Sequence, residues 1–272
     1  MARSLGGSVD DLPNMNAYNL FLTQINVANQ EAAVDAMKRL SCVAILSGPE
    51  VVQSELLPFL NQYVQNENPA DELLLIMGQQ LLSVLAVTKN IITEDVLQLL
   101  ERLAAIEETV VRDQAVTVLG EIVELTGNTH ADAMCALCRR LASADWFTAK
   151  VSAAGIIPHL IKVVPVATQH DLLTTFKELS GPDETPMVRR ATAKHLGDVL
   201  AAAGWPHRDV LSVVVNGLSA INEQDSVRLL AVASLAKAGP TWGEHPNWTI
   251  QHWLPVLKEG ATDLSWYVPI SN

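Results

Sequence analysis

Residues 183–200 read Asp-Glu-Thr-Pro-Met-Val-Arg-Arg-Ala-Thr-Ala-Lys-His-Leu-Gly-Asp-Val-Leu, and the fold turns on this stretch. It divides into a loop, a cap and a helix. Asp183 and Glu184 form an acidic loop, and Thr185 stands at the N-cap position. Pro186 suits the first helical position, where its missing N–H costs nothing. Val188, Ala191, Leu196, Val199 and Leu200 then recur on one helical face. Other stretches repeat the pattern. Glu107–Leu125 carries Val111-Arg112 and then Ala115, Val118, Leu119 and Ile122; Glu223–Ala238 carries Val227-Arg228 and then Ala231 and Leu235; Asp145–Val163 puts Lys150 where the others put arginine.

Arg112, Lys150, Arg189 and Arg228 are separated by 38, 39 and 39 residues. A period near that length is the mark of stacked helical pairs, each with an apolar face that only a neighbouring pair can cover. The chain therefore reads as all-α, an α-solenoid of about six full helical pairs and part of a seventh. The expected pairs are two patterns within Tyr18–Leu46; Pro49–Tyr63 with Asp71–Val87; a helix opening at Thr93 or Asp95 with Glu108–Leu125; Ala131–Ala142 with Asp145–Val163; Thr168–Leu179 with Pro186–Ala203; and His207–Ala220 with Asp225–Ala238. Gly48-Pro49, Gly127-Asn128, Gly181-Pro182 and Gly239-Pro240 mark the stops. Trp248–Gly260 opens a seventh pair, which has only Asp263–Asn272, with Pro269 inside, for its second helix. Val213-Val214-Val215 reads as buried helix. The domain expectation is a disordered tail over 1–16, the repeat array over 17–264 and a truncated tail over 265–272.

Composition narrows the function. Of the 272 residues, 49% are hydrophobic, 5% aromatic and 18% charged, and the net charge is −12. Basic residues cluster only in pairs (Lys38-Arg39, Arg139-Arg140, Arg189-Arg190), which is no stripe for nucleic acid. The longest apolar run, Val151–Ala167, is interrupted by Pro158, His159, Lys162 and Pro165, so no membrane span is expected. The N-terminus shows no signal-peptide core. Three cysteines fit a reducing compartment. A cytoplasmic protein, with the nucleus as second compartment, is the expectation.

No catalytic constellation emerges, so the chain reads as no enzyme. Cys135-Ala-Leu-Cys138 with His130 is the only metal-like spacing, and it lacks further ligands. Buried thiols behave as small hydrophobes, and neither metal nor cofactor is expected. The seven histidines form no His-Glu-x-x-His pair. Asn247-Trp248-Thr249 has the form of a glycosylation acceptor by chance.

The quoted segments, with Ser54–Leu60 and Asp145-Trp146-Phe147-Thr148, resemble the scaffolding-subunit family of protein phosphatase 2A, which is built of HEAT repeats. The likeness covers roughly residues 17–268, and Asp263-Leu264-Ser265-Trp266 resembles that family's seventh repeat. The resemblance implies a fold of HEAT repeats without catalysis, docking phosphatase regulatory subunits through its intra-repeat turns. It also implies that the catalytic-subunit platform lies in repeats beyond this chain's end, and Tyr267 and Pro269 depart from basic family positions.

The turn residues that match are Glu107, Glu108, Asp145, Trp146, Phe147, Asp183, Glu184, Thr185, Pro186, Asp225 and Ser226, and these are the expected partner-binding positions. Read without the family, the carboxylates also complement helix dipoles. Trp146-Phe147 cannot both face inward, and an exposed aromatic suits an interface anchor. Arg112, Lys150, Arg189 and Arg228 are expected to form an inter-repeat ladder with neighbouring carboxylates. The alternative functional reading is a HEAT adaptor of another complex, a transport or chromatin scaffold. At the far end, Ile250, Trp253, Leu254 and Leu257 are expected to lack a covering helix.

Overall fold

The computed structural model describes residues 16–26, 29–66 and 69–263. The tail expected over 1–16 (all but Asn16), the segment from Leu264 to Trp266, and Tyr267 and Pro269 lie outside the described residues. Every regular element among the described residues is helical. The chain divides into two compact units, Met1–Leu103 and Ala104–Asn272.

The first unit holds α1 (Ala17–Ile25), α2 (Gln30–Lys38), α3 (Leu40–Val51), a π-helical turn (Val52–Leu56), α4 (Leu57–Asn66), α5 (Asp71–Val87) and α6 (Glu94–Leu103). Asn16 and Asn29 cap α1 and α2, each side-chain oxygen accepting from backbone N–H groups two or three residues on. α3 and α2 pack on α5, and α4 packs on α6. Phe21 is buried and meets Phe59 edge-on at 6.0 Å, while Met37, Leu56, Leu57, Leu60, Met77 and Leu81 fill the interior. Asn61, buried in α4, donates to Gln98 Oε1 at 3.2 Å and accepts from Arg102 Nε at 3.2 Å, tying α4 to α6.

The expected stop at Gly48-Pro49 is present as a backbone break inside α3, where Gly48 has φ 81° and ψ 167°. That conformation suits glycine, since a side chain there meets its own backbone. The helical run Leu40–Gln65 is nonetheless longer than the candidate taken from the sequence, with mean hydropathy 1.2 over its most apolar stretch and a length that could cross a membrane. Gly48 interrupts it, and Val52, Leu56, Leu57 and Leu60 are buried against protein.

The second unit holds α7 (Thr109–Thr126), α8 (Ala131–Ala142), α9 (Phe147–Ile161), α10 (Val166–Leu179), α11 (Pro186–Ala203), a 3-10 turn (Trp205–His207), α12 (Arg208–Leu218), α13 (Asp225–Trp242) and α14 (Pro246–Ala261). These form two rows. The second helices α7, α9, α11 and α13 lie side by side, the first helices α8, α10 and α12 do likewise, and short turns join the members of each pair. Small side chains let the second helices approach closely. A Cβ on Gly197 of α11 would stand 3.0 Å from the Ser234 carbonyl oxygen of α13 and 3.1 Å from Lys237 Cβ. Gly197→Ala should therefore lower stability by about 1–3 kcal/mol through overpacking, despite alanine's better helix propensity. Thermal melting of the variant checks this, and a raised melting temperature would contradict it.

Two local readings change. α13 continues through Gly239-Pro240 to Trp242 rather than ending at Ala238, because Trp242 is buried in an aromatic cluster and proline removes only one N–H from the last turns. Val213 is exposed on α12, while Val214 and Val215 are buried: three consecutive valines span too wide an arc for one buried face. On α14, Trp253 is buried, whereas Ile250 and Leu254 are exposed.

Candidate functional site

The repeat builds one corner three times over in the second unit. Arg112, Arg189 and Arg228 sit at the fourth position of α7, α11 and α13. Each turns its guanidinium back to donate to the carbonyl oxygen five residues earlier, that of Glu107, Glu184 and Glu223 respectively. Arg112 also donates to Ile106 O at 2.7 Å and to Thr109 Oγ1 at 3.1 Å. Each corner is thus held by charge-assisted hydrogen bonds to a carbonyl of the turn that precedes the helix.

The expected ladder is present at Lys150, Arg189 and Arg228 but not at Arg112. Lys150 Nζ meets Glu184 Oε1 at 2.6 Å, Arg189 meets Glu223 through Nε at 2.6 Å and Nη2 at 3.0 Å, and Arg228 meets Asp263 through Nε at 2.8 Å and Nη2 at 2.7 Å. The rungs reach 34, 34 and 35 residues along the chain. Burial alone pushes the Glu223 carboxyl upward. The Arg189 hydrogen bond, the Gln224 N–H and the nearby guanidinium charges outweigh it and hold the group below the usual carboxylate range. The Glu223 hydrogen bond chiefly raises Arg189 in turn, against its burial.

A step of 34 from Arg112 lands on Trp146, so that rung has no carboxylate at the matching place, and Arg112 Nε is buried without a hydrogen-bond partner. Trp146 points away instead, 72% exposed at the N-cap position of α9. Phe147 beside it is half-buried, so at least part of one ring enters the repeat.

The expected docking positions divide into two groups. Glu107, Glu108, Asp145, Trp146, Asp183, Thr185, Pro186 and Ser226 are exposed on the turns or first helical residues. Thr185 occupies the N-cap position but its side chain makes no capping bond. Glu108 does accept from Val110 N, at 3.5 Å. Glu184 is drawn into the ladder, and Asp225, though exposed, pairs with Arg228 at 2.9 Å. Sequence reasoning missed Val110, Met187 and Ile221, which are 52%, 54% and 75% exposed on the same turns. Val110 and Met187 each precede a valine that is buried, and one step back around the helix turns them to solvent. The ridge therefore alternates apolar side chains with carboxylates.

Cys135 and Cys138 are both buried on α8, and burial, with Cys135 close by, pushes the Cys138 thiol up to about 12. No group of three or more histidine, cysteine or acidic side chains among the described residues could hold a metal ion.

Two parallel rows of helices, cross-braced by the Lys150, Arg189 and Arg228 rungs and joined by short turns, define the second unit as a helical-repeat protein of the α-solenoid class. No family model matches the chain. It is 35% identical over 210 residues to a probable serine/threonine-protein phosphatase PP2A regulatory subunit of Caenorhabditis elegans, covering 76% of this chain and 35% of that one. It is 34% identical over 195 residues to the beta isoform of the human 65 kDa A-type regulatory subunit of serine/threonine-protein phosphatase 2A (71% and 31%), and 34% identical over 240 residues to the A-type PP2A regulatory subunit of Schizosaccharomyces pombe (86% and 39%). Among solved structures it is similar to an engineered protein (TM-score 0.45, 14% identity, 84% of this chain and 98% of that one) and to a designed armadillo repeat protein (0.43, 14%, 80% and 98%). The chain is a homologue of the A-type regulatory subunits of protein phosphatase 2A, and it spans about a third of the length of those relatives.

Proposed function

We propose that this chain is a non-catalytic scaffold that docks a regulatory subunit of a phosphatase 2A-type enzyme along the turn ridge of its second unit. The relatives' names supply the class of partner. The observation that carries the reading is Trp146: a large aromatic ring, 72% exposed, stands where the ladder elsewhere places a carboxylate. An indole in water with apolar and acidic neighbours is the composition of an interface anchor. Val110, Met187 and Ile221 extend the apolar contact, and Glu107, Glu108, Asp145 and Asp183 supply charge that orients a basic partner face.

Titration calorimetry of the purified chain against a panel of phosphatase 2A regulatory subunits tests the proposal. Binding is expected to at least one of them, and Trp146→Ala should weaken it by about 2 kcal/mol or more, some thirtyfold, as interface hot spots do. The same substitution should change thermal stability by less than about 0.5 kcal/mol, since the ring packs little. Equal affinity of the variant and the parent would remove Trp146 from the interface.

A further inference from the structure

We propose that a groove on the second-helix row, lined by α7, α9 and α11, receives a basic side chain, arginine above all, from a partner polypeptide. The groove encloses about 400 Å³, within the range of small binding pockets. It lies on the helix bodies, away from the turns, so it stands or falls independently of the ridge.

Its floor follows from the sequence of α9, where the small residues Ser152 and Gly155, both buried, line the groove without bulk. Ser152 is further committed, donating to Ala104 O at 2.6 Å. A Cβ at Gly155 would lie 2.9 Å from Val116 Cγ1 of α7 and 3.3 Å from His195 Nε2 of α11, so glycine lets both neighbours close over α9. Gly120 of α7 does the same for His159, whose ring atoms lie 2.7–2.9 Å from where a Cβ would be. Two imidazoles are thus seated on two glycines, one at the side and one at the end of the groove.

The walls differ in charge. α7 contributes three carboxylates, Asp113, Glu121 and Glu124, all exposed. α11 contributes Lys194 and His195. Burial, then Lys194 and His159, push His195 down to about 4 against the opposing pull of Asp198 and Asp113, so near neutral pH this wall adds an uncharged ring. Glu124 is shared between His159 Nδ1 at 3.5 Å and Lys162 Nζ at 3.8 Å. Asp113 reaches Lys194 only at 4.0 Å, with both side chains more than half exposed, a weak surface pair that a better donor displaces. Glu121 has its carboxylate in solvent.

That arrangement suits one kind of guest. An aliphatic stem lies along Val116 and Val151, the charged head meets Glu121 or, in place of Lys194, Asp113, and the neutral His195 ring offers a face on which a planar guanidinium stacks. Phosphate or carboxylate ligands meet like charge from α7, and the chain's net charge of −12 repels them further.

The probe is a fluorescein-labelled Ala-Arg-Ala-Ala-Arg-Ala peptide, with Ala-Glu-Ala-Ala-Glu-Ala as control, titrated into the full chain at low ionic strength. Anisotropy should report binding of the arginine peptide only. The paired change Asp113→Asn with Glu121→Gln should weaken it about tenfold, whereas Glu107→Gln with Glu108→Gln, the same loss of charge on the ridge, should change it less than about twofold. In the parent, the His195 Hε1 resonance should shift along the same isotherm. No binding of the arginine peptide, equal weakening by both pairs, or a His195 signal that stays still while the peptide binds would each overturn the proposal. All four substituted side chains are exposed, so the variants keep the fold, which far-UV circular dichroism verifies.

Discussion

Replacing Trp242 by alanine lowers the stability of the second unit by about 3–5 kcal/mol. Trp242 is 1% exposed near the end of α13, and its ring lies 5.2 Å from that of Trp253, 5.3 Å from Trp248 and 6.1 Å from Trp205. Those neighbours come from α14 and from the 3-10 turn after α11, so one indole joins three successive segments. The Trp242 Nε1 donates to Leu200 O at 3.0 Å, but that carbonyl also accepts from Gly204 N at 3.2 Å and is not orphaned by the substitution. The cost is therefore mainly the cavity and the lost ring contacts, which are worth more than burial alone. Because stacked repeats need not unfold together, the first transition in a far-UV circular dichroism melt is the one to compare. Trp242→Phe should lose less than half as much as Trp242→Ala. A loss below about 1 kcal/mol for the alanine variant would mean that the cluster is loosely packed.

That tryptophan also marks where sequence reading ran out. The 39-residue register located the second helices because a basic residue at one fixed place has work there: Arg112, Arg189 and Arg228 pin the corner backbone, and Lys150, Arg189 and Arg228 reach the next repeat's carboxylate. The glycine stops at Gly48 and Gly127 were legible for a similar reason, both having positive φ. The helix through Pro240 was not, since the burial that holds it depends on aromatic partners distant in the chain. The divided opening helices α1, α2 and α3 were only half visible, because the break at Arg39 carries no glycine or proline. For the candidate site, the turns were legible as places but not as surfaces. Glu184 and Asp183 look alike in sequence, yet Lys150 takes one into the ladder and leaves the other exposed. Val110, Met187 and Ile221 carried no outward signal, because an apolar residue beside a buried one reads as core.

The ladder's cost of failure can be measured at its Arg189–Glu223 rung. Arg189→Met should destabilise the second unit by about 3–5 kcal/mol at neutral pH, because it strands the Glu223 carboxylate in a site where the two side chains are only 13% and 10% exposed. Combining it with Glu223→Leu should recover most of that loss, since the unpaired charge is then gone. The pH dependence separates this account from simple loss of packing. Glu223 in the parent titrates below the ordinary carboxylate range, so its contribution is present above the unfolded-state value of about 4.3 and disappears as pH falls through its lower folded-state value. In Arg189→Met, only the Gln224 N–H and the Arg228 charge are left to oppose burial, and the same carboxyl should titrate higher than in the parent. Acid then costs the variant less than it costs the parent, and the stability gap between them should narrow from pH 7 toward pH 3. Denaturant unfolding of parent, single and double variants across that range reads the gap directly. A difference that stays constant with pH would assign the loss to the missing guanidinium stem and its bond to the Glu184 carbonyl, and the stranded carboxylate would then carry none of it.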